Sequence, residues 1–314
     1  MNIERRTFLT GAAAAFAGSA ASAQGWDDYK DPAIVAAQPS APLWPRKERF
    51  PLWPGTPPGA PRPLPRAAWN MFADPGYPQL WIKGIAVPEV NVFRPALADG
   101  SALLVIPGGS YHFLAVQNEG MHPAERFNAE RTTVFVLSYR LPGEGWTNRS
   151  TVPLSDAQRA MRLIRSRAAE FKIDPNRLGV MGFSAGGQLA ADLTVSYDER
   201  VYTPVDAADR LSAKPSFTAL IYPVATLQPF THAESRSNIL GPNPPASLVQ
   251  ARSPELHVNG STPPNFVVHA FDDGAVPVEN SLAWIRACQA AKVSVEAHLI
   301  AEGGHGNHPS TPCV

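Results

Sequence analysis

The chain alternates between two hydrophobic rhythms. Short runs are apolar or β-branched at nearly every position: "LLVIPGG" from Leu103, "TTVFVLSYR" from Thr132, "RLGVMG" from Arg177, "FTALIYP" from Phe217, "NFVVHAF" from Asn265 and "SVEAHLI" from Ser294. Between them lie stretches of helical character: "HPAERFNAE" from His122, "LSDAQRAMRLIRSRAAEF" from Leu154, "SAGGQLAADLTVSY" from Ser184 and "VENSLAWIRACQAAK" from Val278. A continuous apolar run suits a strand buried on both faces, and an amphipathic stretch suits a helix packed against it. Regular alternation of the two predicts a mostly parallel central sheet with helices on both faces, an α/β architecture. Ser155 and Gln158 have the spacing of a capping box at the start of the second helix. After "FTALIYP" neither rhythm is sustained as far as Pro264. This stretch is expected to be irregular, with Ala225 to Pro264 forming a cap over one end of the sheet.

Toward the N-terminus the pattern changes. The 314 residues include 33 prolines, many of them between Pro32 and Pro78, where "PLWPRKERFPLWPGTPPGAPRPLP" holds Trp44 and Trp53. Proline fixes φ and removes an amide donor, so residues 24–65 are expected to form an extended arm rather than helix or sheet. The two tryptophans either stack on sugar rings or pin the arm to the domain that follows, and packing is the commoner role. Ahead of the arm, "ERRTFLTGAAAAFAGSAASAQG" pairs Arg5 with Arg6, continues in Ala and Gly, and carries the small-residue motif Ala21-Ser22-Ala23. This resembles a bacterial twin-arginine export signal over residues 1–23, with the mature chain starting near Gln24. Its apolar stretch is too short and too rich in Ala and Gly to favour spanning a bilayer. The export machinery is thus an expected partner, and a periplasmic or extracellular location is expected. Residues 66–314 read as one domain.

Charge and cysteines narrow the classes further. Lys plus Arg number 27 and Asp plus Glu 27, giving a formal net charge of zero. With no long basic run, neither a nucleic acid nor an anionic membrane is expected as partner. Cys288 and Cys313 either pair in an oxidising compartment or stay apart, Cys288 buried on its helix and Cys313 near the chain end. Their spacing suggests neither a metal site nor a redox dithiol, and no cofactor is expected.

Against this background one serine stands out. Gly182-Phe183-Ser184-Ala185-Gly186 is a G-x-S-x-G at the junction of a strand pattern and a helix pattern. Glycines at those positions let the backbone turn sharply and lift the hydroxyl clear of both elements. A hydroxyl is a weak nucleophile near neutral pH and needs an imidazole base oriented by a carboxylate. Asp272 and Asp273 follow the strand "NFVVHAF", and His305 lies in "EGGHG" after the last strand. Asp273 is favoured as the acid, because it should begin the turn leading to Pro277 while Asp272 sits at the strand end; Asp272 remains the alternative. His305, flanked by glycines that allow close approach, is favoured over His308 as the base. The developing oxyanion needs N–H donors. Ala185 at the start of the elbow helix is one, and Gly109 and Ser110 in "VIPGGSYHF" are the others. Arg140 is expected to pair with Asp156. Glu119 is expected either to touch substrate or to cap the segment it lies in.

The motifs "PLWPGTPPGA", "VIPGGSY", "VLSYRLP", "GVMGFSAGGQLAA", "HAFDDGAVPVENSLAW" and "EGGHG" extend from about Pro51 to Gly306. Through them the chain resembles α/β-hydrolases of the carbohydrate-esterase type, acetyl xylan esterases and BD-FAE-like proteins. The resemblance implies an α/β-hydrolase fold and a serine carboxylic-ester hydrolase with Ser184 as nucleophile, Asp273 as orienting acid and His305 as base. Short-chain acyl esters of carbohydrates, acetyl esters above all, are the implied substrates. Two departures matter. Where relatives often have P-G-G-G-Y, this chain has Pro107-Gly108-Gly109-Ser110-Tyr111, which keeps the amide donor. Relatives also usually continue past the histidine loop into a last helix, whereas "GGHGNHPSTPCV" gives a shortened C-terminus, so one sheet face is expected to lose cover. Bulk at Tyr111 and Phe113, and the lack of a continuous apolar face between Ala225 and Pro264, predict acetyl preference over long acyl chains. The same triad also serves serine peptidases and amidases. The arm alone would suit a non-catalytic carbohydrate-binding protein, against which a complete Ser, Asp and His set weighs.

Overall fold

A computed structural model describes residues 44–74 and 77–306. The expected export signal, the first part of the arm, His308 and Cys313 lie outside the described residues. Two strands, β2 (Ala68–Asp74) and β3 (Tyr77–Lys83), form a separate antiparallel hairpin. The main sheet sets side by side β1 (Arg49–Pro51), β4 (Glu89–Phe93), β6 (Thr133–Ser138), β5 (Ala102–Ile106), β7 (Leu178–Phe183), β8 (Thr218–Ile221), β9 (Asn265–Ala270) and β10 (Val295–Ile300). The β1–β4 and β4–β6 pairings are antiparallel. Every pairing from β6 across to β10 is parallel. β5, β6 and β7 are buried at every position, the physical reason they read as unbroken apolar runs. β10 closes the far edge, and none of its residues is buried.

Seven α-helices lie among the described residues: α1 (His122–Ala129), α2 (Val152–Ser166), α3 (Ala168–Phe171), α4 (Ser184–Val195), α5 (Ala233–Leu240), α6 (Ala246–Ala251) and α7 (Glu279–Ala290). Mostly parallel strands alternating with packed helices give the expected α/β architecture. The second predicted helix is divided at Arg167 into α2 and α3. It also starts earlier than the Ser155–Gln158 spacing implies. Pro153 occupies its first turn, where a missing amide leaves no bond unmade, and the Ser155 hydroxyl donates to the Val152 carbonyl at 2.7 Å from inside the helix. The stretch expected to be irregular holds α5 and α6.

The arm departs from expectation too. Arg49–Pro51 pair with Glu89–Asn91 as β1, although the local proline content argued against sheet. The position is the sheet edge, where proline at a strand end withholds no needed donor. Trp44, Phe50, Leu52 and Trp53 are buried in the main core, so both tryptophans pack rather than face outward. Trp53 Nε1 donates to Asp156 Oδ1 at 2.8 Å. Asp156 also takes the Arg140 guanidinium, with Nη2–Oδ1 at 2.8 Å and Nε–Oδ2 at 2.9 Å. Arg140 is 1% exposed and Asp156 0%. This buried pair joins the arm, the end of β6 and α2, directly beside Tyr139, whose hydroxyl donates to the Pro107 carbonyl at 2.9 Å.

Candidate active site

Strand β7 ends at Phe183 and α4 begins at the next residue. Ser184 sits at that corner with φ 51, a left-handed conformation that L-residues adopt only under constraint. The flanking glycines are required by contact. A Cβ on Gly182 would lie 2.2 Å from the Gly186 carbonyl oxygen, and one on Gly186 would lie 2.2 Å from that of Ile106. The second clash is with the strand that leads into the Pro107–Tyr111 loop, so Gly186 is what lets that loop reach the serine.

Ser184 Oγ is 2.9 Å from His305 Nε2, and His305 Nδ1 is 2.7 Å from Asp273 Oδ2. Three residues expected at separate strand ends therefore meet in one line. A neutral imidazole that donates from Nδ1 to a carboxylate presents Nε2 as an acceptor to the hydroxyl. Asp273 Oδ1 accepts the amides of Ala275 at 2.9 Å and Val276 at 2.8 Å. Burial opposes its ionisation, but hydrogen bonds from His269 and His305, the charge of His305 and the Val276 amide outweigh burial and hold the carboxyl well below the usual carboxylate range. Asp272, the alternative, points elsewhere. It is exposed, and its Oδ1 accepts the amides of Gly303 and Gly304, each at 2.8 Å, fixing the loop that carries His305.

The loop from Pro107 is bent into an uncommon shape. Gly109, Ser110 and Tyr111 have φ of 120, 55 and 60. Glycine takes such values freely; a serine there costs about 1 kcal/mol, strain the P-G-G-G-Y pattern avoids. Several neighbours hold it. Asn238 Nδ2, from α5, donates to the Ser110 carbonyl at 2.8 Å. Leu114 and Ile82 of β3 exchange backbone bonds at 2.8 and 3.0 Å. Tyr111 turns inward, its hydroxyl donating to the buried Gln188 amide oxygen, so its bulk does not face the acyl side as expected. Among the described residues, no acceptor takes the amides of Gly109, Ser110 or Ala185. That of Ala185 opens α4, where the first amides lack intrahelical partners. The Gly108 amide is committed, donating to Glu119 Oε2 at 2.6 Å.

Other residues at the site escaped the sequence reading. His269 is buried behind Asp273, its Nε2 3.1 Å from Asp273 Oδ2 and 3.0 Å from the Val276 carbonyl, its Nδ1 2.7 Å from Ser281 Oγ. The spacing His-x-x-x-Asp in "HAFDD" was a visible signal, though a core histidine gives the same pattern. Tyr222, at φ 37, sets its ring 4.7 Å from that of His305 and donates its hydroxyl to Glu119 Oε1 at 3.2 Å. His232 caps the N-terminus of α5, and burial holds its imidazole below the usual histidine range despite the opposing pull of Glu234. Through Asn238, and through Glu234 at 3.7 Å from His112, α5 closes on the Ser110 loop. Among the described residues no group of His, Cys, Asp and Glu could hold a metal ion, and no helix is long and apolar enough to cross a membrane.

The BD-FAE family model matches residues 91–287, a span that includes Ser184 and Asp273 but stops short of His305. An endo-1,4-beta-xylanase B from Butyrivibrio fibrisolvens is 36% identical over 204 residues, covering 65% of this chain and 32% of that protein. An acetylxylan esterase from Xylanibacter ruminicola is 30% identical over 223 residues, covering 69% of this chain and 43% of that protein. The chain thus spans less than half the length of either relative. The crystal structure of an acetyl ester-xyloside bifunctional hydrolase from Caldicellulosiruptor lactoaceticus superposes with a TM-score of 0.68 at 34% identity, covering 84% of this chain and 89% of that one.

Proposed function

The chain belongs to the BD-FAE family of α/β-hydrolases, and from that premise we propose that it is an exported serine carboxylic-ester hydrolase that removes short acyl groups, acetyl above all, from carbohydrate esters. The observation that carries this reading is the unbroken relay from Ser184 Oγ through His305 to Asp273, at 2.9 and 2.7 Å. In it, His305 Nε2 accepts the Ser184 proton as Oγ attacks the ester carbonyl. The carbonyl oxygen gains charge and is received by the amides of Ala185, Gly109 and Ser110, which no acceptor among the described residues takes. Protonated His305 then gives its proton to the departing sugar oxygen as the C–O bond breaks. Water, deprotonated by the same nitrogen, attacks the acyl-serine and releases the acid. Asp273 stays ionised throughout, holding the Nδ1–H tautomer and stabilising the imidazolium.

The acyl and alcohol parts rest on different supports. The names of the relatives point to acetyl esters and to xylan or xylosides. The cap contributes only short helices, α5 and α6, and a long acyl chain would need a continuous apolar face. Export rests on the twin-arginine pattern of residues 1–23. The test compares kcat/KM for 4-nitrophenyl acetate, butyrate and octanoate alongside acetate release from acetylated xylan, with Ser184→Ala as the blank. Acetate is expected to exceed octanoate by at least about tenfold, since each clashing methylene costs about 1–3 kcal/mol or more. Octanoate turned over as well as acetate would overturn the acetyl reading, and a Ser184→Ala chain as active as wild type would remove the serine.

A further inference from the structure

One carboxylate beside the relay makes no hydrogen bond to Ser184, His305 or Asp273. Glu119 is 6% exposed, within a single wide turn, Gln117–Met121, that follows the Ser110 loop. A buried carboxylate is costly unless its charge is compensated, and among the described residues the one cationic partner within electrostatic reach of Glu119 is His305, once it is protonated. Both carboxylate oxygens are occupied. Oε2 accepts the Gly108 amide at 2.6 Å, and Oε1 accepts the Tyr222 hydroxyl at 3.2 Å. A Cβ on Gly108 would lie 2.8 Å from Glu119 Oε2 and 2.9 Å from Ser184 Cβ, so the carboxylate presses on the loop just where the loop meets the serine. Tyr222 in turn packs on the histidine side: its ring lies 4.7 Å from that of His305, and a Cβ on Gly306 would come within 2.6 Å of its hydroxyl. One side chain therefore touches the loop carrying the amide donors with one oxygen and, through Tyr222, the histidine with the other.

We propose that Glu119 is a positioning residue of this centre, aiming the Gly109–Ser110 amides through Gly108 and supplying, with Asp273, the negative charge that steadies protonated His305. The inference rests on the triad reading above. Other groups also face His305. Asp273 takes its Nδ1, with His269 behind; Ser184 meets its Nε2; Tyr222 covers its ring. From the cap, His232 lies within electrostatic reach of His305, with burial the largest influence on its own imidazole and Glu234 opposing that influence. Glu119 is faced by Gly108, Tyr222 and, through space, the Tyr139 hydroxyl. Burial holds its carboxyl above the usual carboxylate range, and the His305 charge, the Gly108 amide and the Tyr222 hydroxyl offset part of that rise.

The test follows the rate at which a fluorophosphonate labels Ser184 between about pH 5 and 9, the range in which an imidazole titrates. The Ser184 Oγ–P bond forms, fluoride leaves and His305 takes the proton, so the rate rises with pH as His305 is deprotonated, whatever the natural ester. In Glu119→Gln the acid limb is expected to move to lower pH by about half a unit to one unit, and the plateau to fall about tenfold. Glu119→Asp keeps the charge but is one methylene shorter and falls short of the Gly108 amide; its limb is expected to stay in place while its plateau falls. Tyr222→Phe removes one of the donors that keep Glu119 ionised, so its limb moves the same way as in Glu119→Gln, by less. A limb unmoved in Glu119→Gln, or moved alike by Gln and Asp, overturns the inference. If circular dichroism shows that Glu119→Gln does not fold, an unmoved limb in Tyr222→Phe, at a half-buried position, overturns it equally. A wild-type chain that is never labelled brings down the triad reading and this inference together. One that is labelled but does not hydrolyse acetylated carbohydrate refutes the substrate class alone.

Discussion

Replacing Asp273 by asparagine separates the two carboxylates that follow β9. In the wild type, Asp273 Oδ2 faces His305 Nδ1 at 2.7 Å and His269 Nε2 at 3.1 Å, while Oδ1 takes two backbone amides at 2.9 and 2.8 Å. Asparagine has one oxygen, and the amides of Ala275 and Val276 can only donate, so they claim it. The new NH2 then faces both imidazoles. His269 keeps the Val276 carbonyl at 3.0 Å. His305 has no such recourse: its Nδ1 must accept, its proton moves to Nε2, and that proton points at Ser184 Oγ. The base is lost, and so is the charge opposite the imidazolium. The expected cost is about 10⁴-fold in kcat/KM, or about 5 kcal/mol in barrier. Asp272→Asn keeps an acceptor for Gly303 and Gly304 and is expected to stay within about fivefold of wild type, each such bond being worth only about 1 kcal/mol. Both variants are compared on 4-nitrophenyl acetate, with circular dichroism to show that each folds. An inactive Asp272→Asn, or equal losses in the two, would refute the assignment. Stability carries a second sign. The folded-state carboxyl of Asp273 lies below its unfolded value, so its contribution is complete above about pH 5 and is lost as pH falls through the folded value. The melting-temperature gap between wild type and Asp273→Asn is expected at neutral pH and should close in acid.

Asp156→Ala leaves the Arg140 guanidinium buried without its partner and is expected to cost about 3–5 kcal/mol by denaturant titration; a loss under about 1 kcal/mol would show that water or the Trp53 and Trp146 rings, which the guanidinium faces at 5.2 and 5.0 Å, compensate. Gly186→Ala places a Cβ 2.2 Å from the Ile106 carbonyl oxygen and 2.5 Å from that of Pro107. Displacing the loop that carries the oxyanion donors is expected to lower kcat at least about 100-fold, and a soluble, fully active variant would refute the contact. Changing Arg5 and Arg6 together to Lys is expected to hold the uncleaved precursor in the cytoplasm, as read by fractionation and mass; normal export would mean that the pair is not an export signal.

The apolar runs that became β5 to β9 were legible because strands covered by helices on both sides have few polar positions to offer. Ser184 was legible for a different reason: a strand-to-helix corner this tight admits only glycine at 182 and 186, and that restriction is written into five consecutive residues. Spacing along the chain also ordered the Ser, Asp and His segments. β1 was hidden, because a strand at a sheet edge tolerates the prolines that would exclude it elsewhere. Asp272 and Asp273 are adjacent in sequence, and only the tertiary structure parts them. Successive side chains near a strand end point in different directions, so one carboxylate enters the buried relay and the other turns outward to hold the loop at Gly303 and Gly304. Glu119, Tyr222 and His305 share no local pattern at all. They meet because neighbouring strand-end loops converge at one end of the sheet, and that convergence is set by strand order and register, which a linear spacing does not encode.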